Sequence, residues 1–232
     1  MRLTLRPLLA ALLLMFFTGC LTIEENYVFK KDGSGTMEYV VDLSEMGEMM
    51  KSFEDASKSK DTNMGDISTM DMDEEVAALR MIPGIQKVKV NKKVEWVQRV
   101  SFKFKDLAAL NAALNVLMKD SSGTSTEFFK WEGNELVRIN NDHAYELGAG
   151  MADTGNDGEE KSEEDKGMDM SAMLETMKYK YSFKFAEPLG TVASASEVKA
   201  ERPSTKEFRM ETDFGVISKN RKALDLRLPL SK

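Results

Sequence analysis

One cysteine, one histidine and seventeen methionines carry the most distinctive chemistry in this 232-residue chain. The cysteine, Cys20, lies in the stretch MFFTGCLTIEE; with no second cysteine it forms no internal disulfide and builds no thiolate metal site. The histidine, His143, is the base that a Ser–His–acid triad would have to use, yet no Gly-x-Ser-x-Gly elbow occurs. Its expected place is the end of a hairpin, exposed or hydrogen-bonded, without a catalytic part. The Rossmann and P-loop glycine patterns and zinc-ligand clusters are also missing. Carboxylates are plentiful, but their spacing singles out no pair for glycoside chemistry. These exclusions predict a non-catalytic protein that needs no cofactor; a hydrolase of unknown class is the last alternative.

Methionine offers the sharpest competing chemistry. MGEMM, MDMDEE and GMDMSAMLETM contain the M-x-M and M-x-x-M spacings that suit Cu(I), because thioethers are soft ligands that need no deprotonation. The same residues also follow a helical template: Met46, Met49, Met50 and Phe53 share one face, as do Met170, Met173, Leu174 and Met177. A stripe of that kind fits core packing first, then an adaptable apolar groove, and then a copper site. Asp153, Asp157, Gly158 and Glu164 match positions of a calcium loop, but Gly155 and Lys161 occupy positions where oxygen ligands belong.

Cys20 is placed by what precedes it. Arg2 and Arg6 lead into the apolar run PLLAALLLMFF, then the small residues Thr18 and Gly19, which is the layout of a secretory signal over residues 1–19. That run is shorter than the roughly 20 apolar residues a spanning helix needs. The tetrapeptide FTGC (Phe17 to Cys20) resembles the lipobox of bacterial lipoproteins; Phe17 departs from the preferred aliphatic residue, while Thr18, Gly19 and Cys20 match. The resemblance implies a thioether-linked diacylglycerol on Cys20, cleavage just before it and acylation of the new amine. Two or three such chains anchor a protein stably where one does so marginally. The implied partner is therefore the membrane, through lipidated Cys20. Leu21, where an inner-membrane retention signal would carry Asp, implies the outer membrane by analogy, with the body facing the periplasm. Glu24 and Glu25 resemble acidic surface-export signals at poorly matching spacing.

The elements that must follow Cys20 are those of a soluble body. Hydrophobic residues at 42% supply a core, and 31% charged residues imply a solvated surface. Without residues 1–19 the chain keeps 30 basic and 39 acidic side chains, a charge of −9, which disfavours nucleic acid as a partner. Strands are expected at Ile23–Lys30 and Thr36–Leu43 around the DGSG turn, then a helix capped by Ser44. After a polar loop, KSKDTNMGDISTMD, a short helix capped by Asp73 ends before Pro83-Gly84. Strands at Gln86–Val90 and Val94–Lys105 precede a helix capped by Asp106, with Leu107, Leu110, Leu114 and Leu117 on one face. A third hairpin, Thr126–Trp131 with Glu135–Asn140, turns at Gly133-Asn134. Residues 148–167 read as a mobile acidic loop. Beyond them lie the Met170–Met177 helix, the alternating strand KYKYSFKF, and strands through EFRMET and KALDLRLPL.

This order predicts a single α+β domain over residues 20–232. Its antiparallel sheet is built from successive hairpin–helix units, with helices on one face and a strand-rich C-terminal segment. The order of cysteine, acidic segment, DGSG hairpin and Met-rich helix resembles uncharacterised Bacteroidetes lipoproteins. YSFKFAEPLGTV resembles the LppM-type lipoprotein domain, where a strand runs into a proline turn. Both resemblances imply an envelope lipoprotein without catalytic residues, and neither carries a site onto this chain. The expected role is structural or in binding an envelope protein or lipid partner.

Overall fold

The computed structural model describes residues 20–56, 72–118, 124–153 and 170–231, which form an α+β structure. The expected signal segment 1–19, the expected polar loop 58–71 and most of the expected acidic loop, 154–167, lie outside the described residues. Strands β1 (Thr22–Phe29) and β2 (Gly35–Asp42) form the first hairpin in direct register, Thr22 opposite Asp42 and Phe29 opposite Gly35. Asp32 Oδ1 accepts hydrogen bonds from Ser34 N and Oγ across the turn, and Gly33 takes φ +79°, the left-handed region that glycine enters without steric cost. Helices α1 (Ser44–Ala56) and α2 (Asp73–Met81) follow; the residue preceding α2 is Met72, so Asp73 opens that helix instead of capping it.

Strand β3 (Ile85–Asn91) pairs with β4 (Val97–Phe104), and Val94 stands exposed in the turn between them. Helix α3 (Leu107–Leu117) starts as expected: the Asp106 side chain accepts from Ala109 N at 2.9 Å, and Leu110, Leu114 and Leu117 are buried. Strands β5 (Phe129–Glu132) and β6 (Glu135–Arg138) form the third hairpin, turning at Gly133 with φ +61°. The next element is a helix, α4 (Asp142–Asp153), that takes the first residues of the expected acidic loop. Then come α5 (Met170–Thr176), β7 (Lys178–Phe185), β8 (Lys199–Ser204), β9 (Glu207–Asp213), α6 (Phe214–Lys219) and β10 (Leu226–Pro229).

Seven strands form one sheet in the order β3-β4-β2-β1-β7-β9-β8, and a second sheet has the order β10-β6-β5. Every pair is antiparallel except β1 with β7, which run parallel with Ile23 opposite Tyr179 and Phe29 opposite Phe185. A uniformly antiparallel sheet is therefore corrected at its centre. The third hairpin leaves the large sheet altogether and packs on its inner face, where Phe129 lies edge-on to Tyr27 with centroids 5.1 Å apart. Period-2 alternation fixes which side chains meet there. Ile23, Glu25, Tyr27 and Phe29 face the core with Tyr179, Tyr181, Phe183 and Phe185, while Glu24, Asn26, Lys180 and Ser182 line the opposite face.

Candidate functional site

Within that aromatic core lies a charged pair. Glu25 and Arg138 are both wholly inaccessible to solvent, and Arg138 Nη2 sits 3.4 Å from each carboxylate oxygen of Glu25. Glu25 is delivered by the inner face of β1, Arg138 by the last residue of β6. The hydroxyls of Tyr27, on the same strand, and Tyr179, on β7, both donate to Glu25. Burial, and next the Glu25 charge, push both phenols well above the usual tyrosine range, so both keep their protons. One carboxylate thus takes donors from three elements, the arrangement a buried anion requires.

Arg138 is held differently. Its guanidinium carbon lies 4.7 Å from the Phe128 ring centre, 5.0 Å from Phe129 and 5.6 Å from Tyr181. Nε and Nη1 make no hydrogen bond, so much of the cation is compensated by aromatic faces. Burial works against the charge, but Tyr181 and Glu25 outweigh it and leave the arginine above its ordinary range. Around this pair, Tyr181 donates to Asn141 Oδ1 at 3.0 Å and Asn141 donates to Asp225 at 2.8 Å. His143, on the first turn of α4, completes the ring: its Nε2 is 2.9 Å from the Tyr179 hydroxyl.

The polar ring borders an apolar cleft of about 310 Å³, walled by Leu21, Ile23, Tyr39 and Val41 from β1 and β2, and by Val116, Leu117, Met118, His143 and Leu147 from two helices and the turn after α3. Met72 and Glu75 complete the wall. Its lining begins at Leu21, the residue after Cys20. Cys20 itself is a free thiol, half-buried and packed against the rim of the core. Leu21 is buried, and its carbonyl accepts from Lys178 N at 2.8 Å, so the folded body starts one residue beyond the cysteine.

No family model and no curated protein matches this chain. One solved structure is similar over most of both chains, the NMR structure of the folded domain of Mycobacterium tuberculosis LppM. That likeness spans 94% of this chain and 92% of that one at a TM-score of 0.46 and 10% identity.

The remaining sequence candidates fall as follows. His143 is hydrogen-bonded as expected, but on a helix and in the ring, not at a hairpin end. Met46 and Met177 pack in the hydrophobic core, Met49 and Met173 are half-buried, and the side chains of Met50 and Phe53 lie outside the described residues. The calcium-loop match beyond Asp153 lies outside them too. Among the described residues, no group of three or more His, Cys, Asp or Glu side chains is placed to hold a metal ion, and no helix is long and apolar enough to cross a membrane. Glu25 and Arg138 escaped the sequence reading, although a signal was present. Glu25 falls between Ile23 and Tyr27 on the apolar phase of an alternating strand, where an acid must be paired.

Proposed function

We propose that this chain is a lipid-anchored bacterial envelope protein, held at the outer membrane through Cys20 and facing the periplasm. Its folded body serves a structural or binding role and does no catalysis. The observation that carries the reading is the junction at Cys20. The signal-like segment and FTGC end at a cysteine, and the next residue, Leu21, is already in the core. With no spacer between them, lipid chains on Cys20 would seat the body directly at the bilayer surface. The non-catalytic reading is supported by the ring's own closure, since the Glu25 carboxylate is occupied by donors of the fold and has no exposed surface.

The test is fractionation together with mass spectrometry of the mature N-terminus. The expected result is a chain beginning at Cys20 with a diacylglycerol thioether and an acylated amine, and release of Cys20→Ala into the soluble fraction by a high-salt wash. An unmodified cysteine, or wash-resistant Cys20→Ala, overturns the proposal.

A further inference from the structure

The outer face of the large sheet divides into two halves of different charge. On β1, β7, β9 and β8 its cations are matched: Lys180 with Glu24, Lys184 and Arg209 with Glu207, and Lys199 with Glu201. On β4 and β3 they are not. Two adjoining open depressions there share Lys89, Ser101 and Glu38, and Glu38 is the one acid among the described residues that line them. Against it stand Lys87, Lys89, Lys93, Arg99 and Lys103, whose side chains have no hydrogen-bond or ion-pair partner among the described residues. Lys92, beside them, is held by Asp73 at 2.8 Å. On a body of charge −9 this is a local reversal of sign.

A β-bulge builds part of the patch. By strict alternation from the buried Ile85, Lys87 and Lys89 would point into the core. One extra residue between Gln86 and Lys89 resets the phase, with Lys87 at φ +54°, a conformation that residues other than glycine rarely take. Val88 and Val90 then pack against the core, while Lys89 stands exposed opposite Ser101. Lysines on an edge strand also deter edge-to-edge pairing, but Arg99 and Lys103 sit on β4, which is paired on both sides.

We propose that this half of the sheet face is a second membrane contact, which docks the body onto anionic phospholipid headgroups through Lys87, Lys89, Lys93, Arg99 and Lys103. The cations do not converge on one point or follow one groove. Arg99 and Lys103 stand about 14 Å apart along β4, and Lys89 lies on the next strand beside the residue between them. A spread over two strands and a turn fits separate headgroups on a plane better than one bound anion or a linear polyanion. The choice of a bilayer rests on the lipid-anchor reading of Cys20, and the register agrees with it. Val97 lies opposite Asp42 and Asp42 opposite Thr22, so the turn that carries Lys93 is at the Cys20 end of the sheet. A body tethered there meets the surface at high effective concentration, where a few lysines suffice to hold it.

The experiment is flotation of the full Cys20→Ala chain, which carries no lipid on that residue, with vesicles of phosphatidylcholine alone or with about one-third phosphatidylglycerol. At low salt the chain is expected to float with the anionic vesicles in preference to the neutral ones, despite its net negative charge, and to be released at about 0.5 M salt. Arg99→Gln with Lys103→Gln should weaken that binding about 25-fold, close to fivefold for each charge at a membrane surface. Glu24→Gln with Lys180→Gln, on the matched half of the same face and without change in net charge, should leave it unaltered. Equal flotation with both vesicles overturns the proposal, as does a preference that survives Arg99→Gln with Lys103→Gln or one lost with the Glu24 and Lys180 changes. Capture by heparin without binding to phosphatidylglycerol overturns it in favour of a soluble polyanion. The anchor itself is read from the wild-type N-terminus by mass spectrometry, so the docking face and the lipid anchor can fail separately.

Discussion

Glu25 and Arg138 are a pair for which removal of one member is far worse than removal of both. Breaking a buried ion pair leaves an uncompensated charge and costs about 3–5 kcal/mol, whereas apolar replacement of both partners is often neutral. Glu25→Ala and Arg138→Ala should therefore each lower the urea-unfolding free energy by that amount, and Glu25→Leu with Arg138→Met should lose much less than the sum. His143 gives a pH signature. Its folded pKa lies near 3, below the ordinary value of 6.5, so the unfolded chain binds a proton that the folded one does not. Stability from this residue is full above pH 6.5 and falls by about 1.4 kcal/mol per pH unit as acid is added, down toward pH 3. Relative to wild type, His143→Phe should flatten the unfolding free energy between pH 6.5 and 4. An unchanged slope would show that the imidazole is not buried neutral.

At the scale of elements, helix α3 holds β5 in a way its leucine stripe does not announce. Asn111 donates from Nδ2 to the Phe129 carbonyl at 2.8 Å and accepts from Phe129 N at 2.8 Å, pairing its amide with the backbone as a neighbouring strand would. Asn115, one turn on, does the same with Thr126, donating at 2.8 Å and accepting at 2.7 Å. Asn111→Leu strands two backbone groups at once and should cost about 2–4 kcal/mol in chemical unfolding, with faster amide exchange around Phe129. Asp106→Ala, by contrast, removes one cap and should cost about 1 kcal/mol. The same contrast explains what could be read beforehand. Alternation in KYKYSFKF and in Val100, Phe102 and Phe104 reports burial directly, so β7 and β4 were legible, as was the Asp106 cap. Strand β8 is exposed along its whole length and contains Pro203, so it has neither an apolar phase nor a full ladder. Helix α4 mixes glycines and polar residues with few large apolar ones, and tertiary packing decided it. The polar ring was least legible because its members come from β1, β6, α4 and β7, and no local pattern joins Glu25 to Arg138 across 113 positions.

At the scale of the molecule, the large sheet is covered on one side by helices and the small sheet, while its other face carries ordered charges: Glu24 lies 3.9 Å from Lys180, and Lys184 lies 3.6 Å from Glu207. The Glu24–Lys180 pair, partly open to solvent, contributes about 0–1 kcal/mol, Glu207 is itself buried beside Lys184, and stability rests chiefly on the aromatic core. The parallel pairing of β1 with β7 has a consequence for the order of synthesis. The strand next to Cys20 is the middle of the sheet, yet one of its two neighbours begins at Lys178, and the same strand brings Tyr179 to Glu25. A chain threaded N-terminus first would thus present its central strand long before the partner that completes it. Truncation before residue 178 should leave the product protease-sensitive and without cooperative melting, whereas a truncation that spared β7 and β9 would restore much of both. A lipid on Cys20 would accordingly be attached to a polypeptide still waiting for its core, and the bilayer would hold the first strand in place while the last ones arrive.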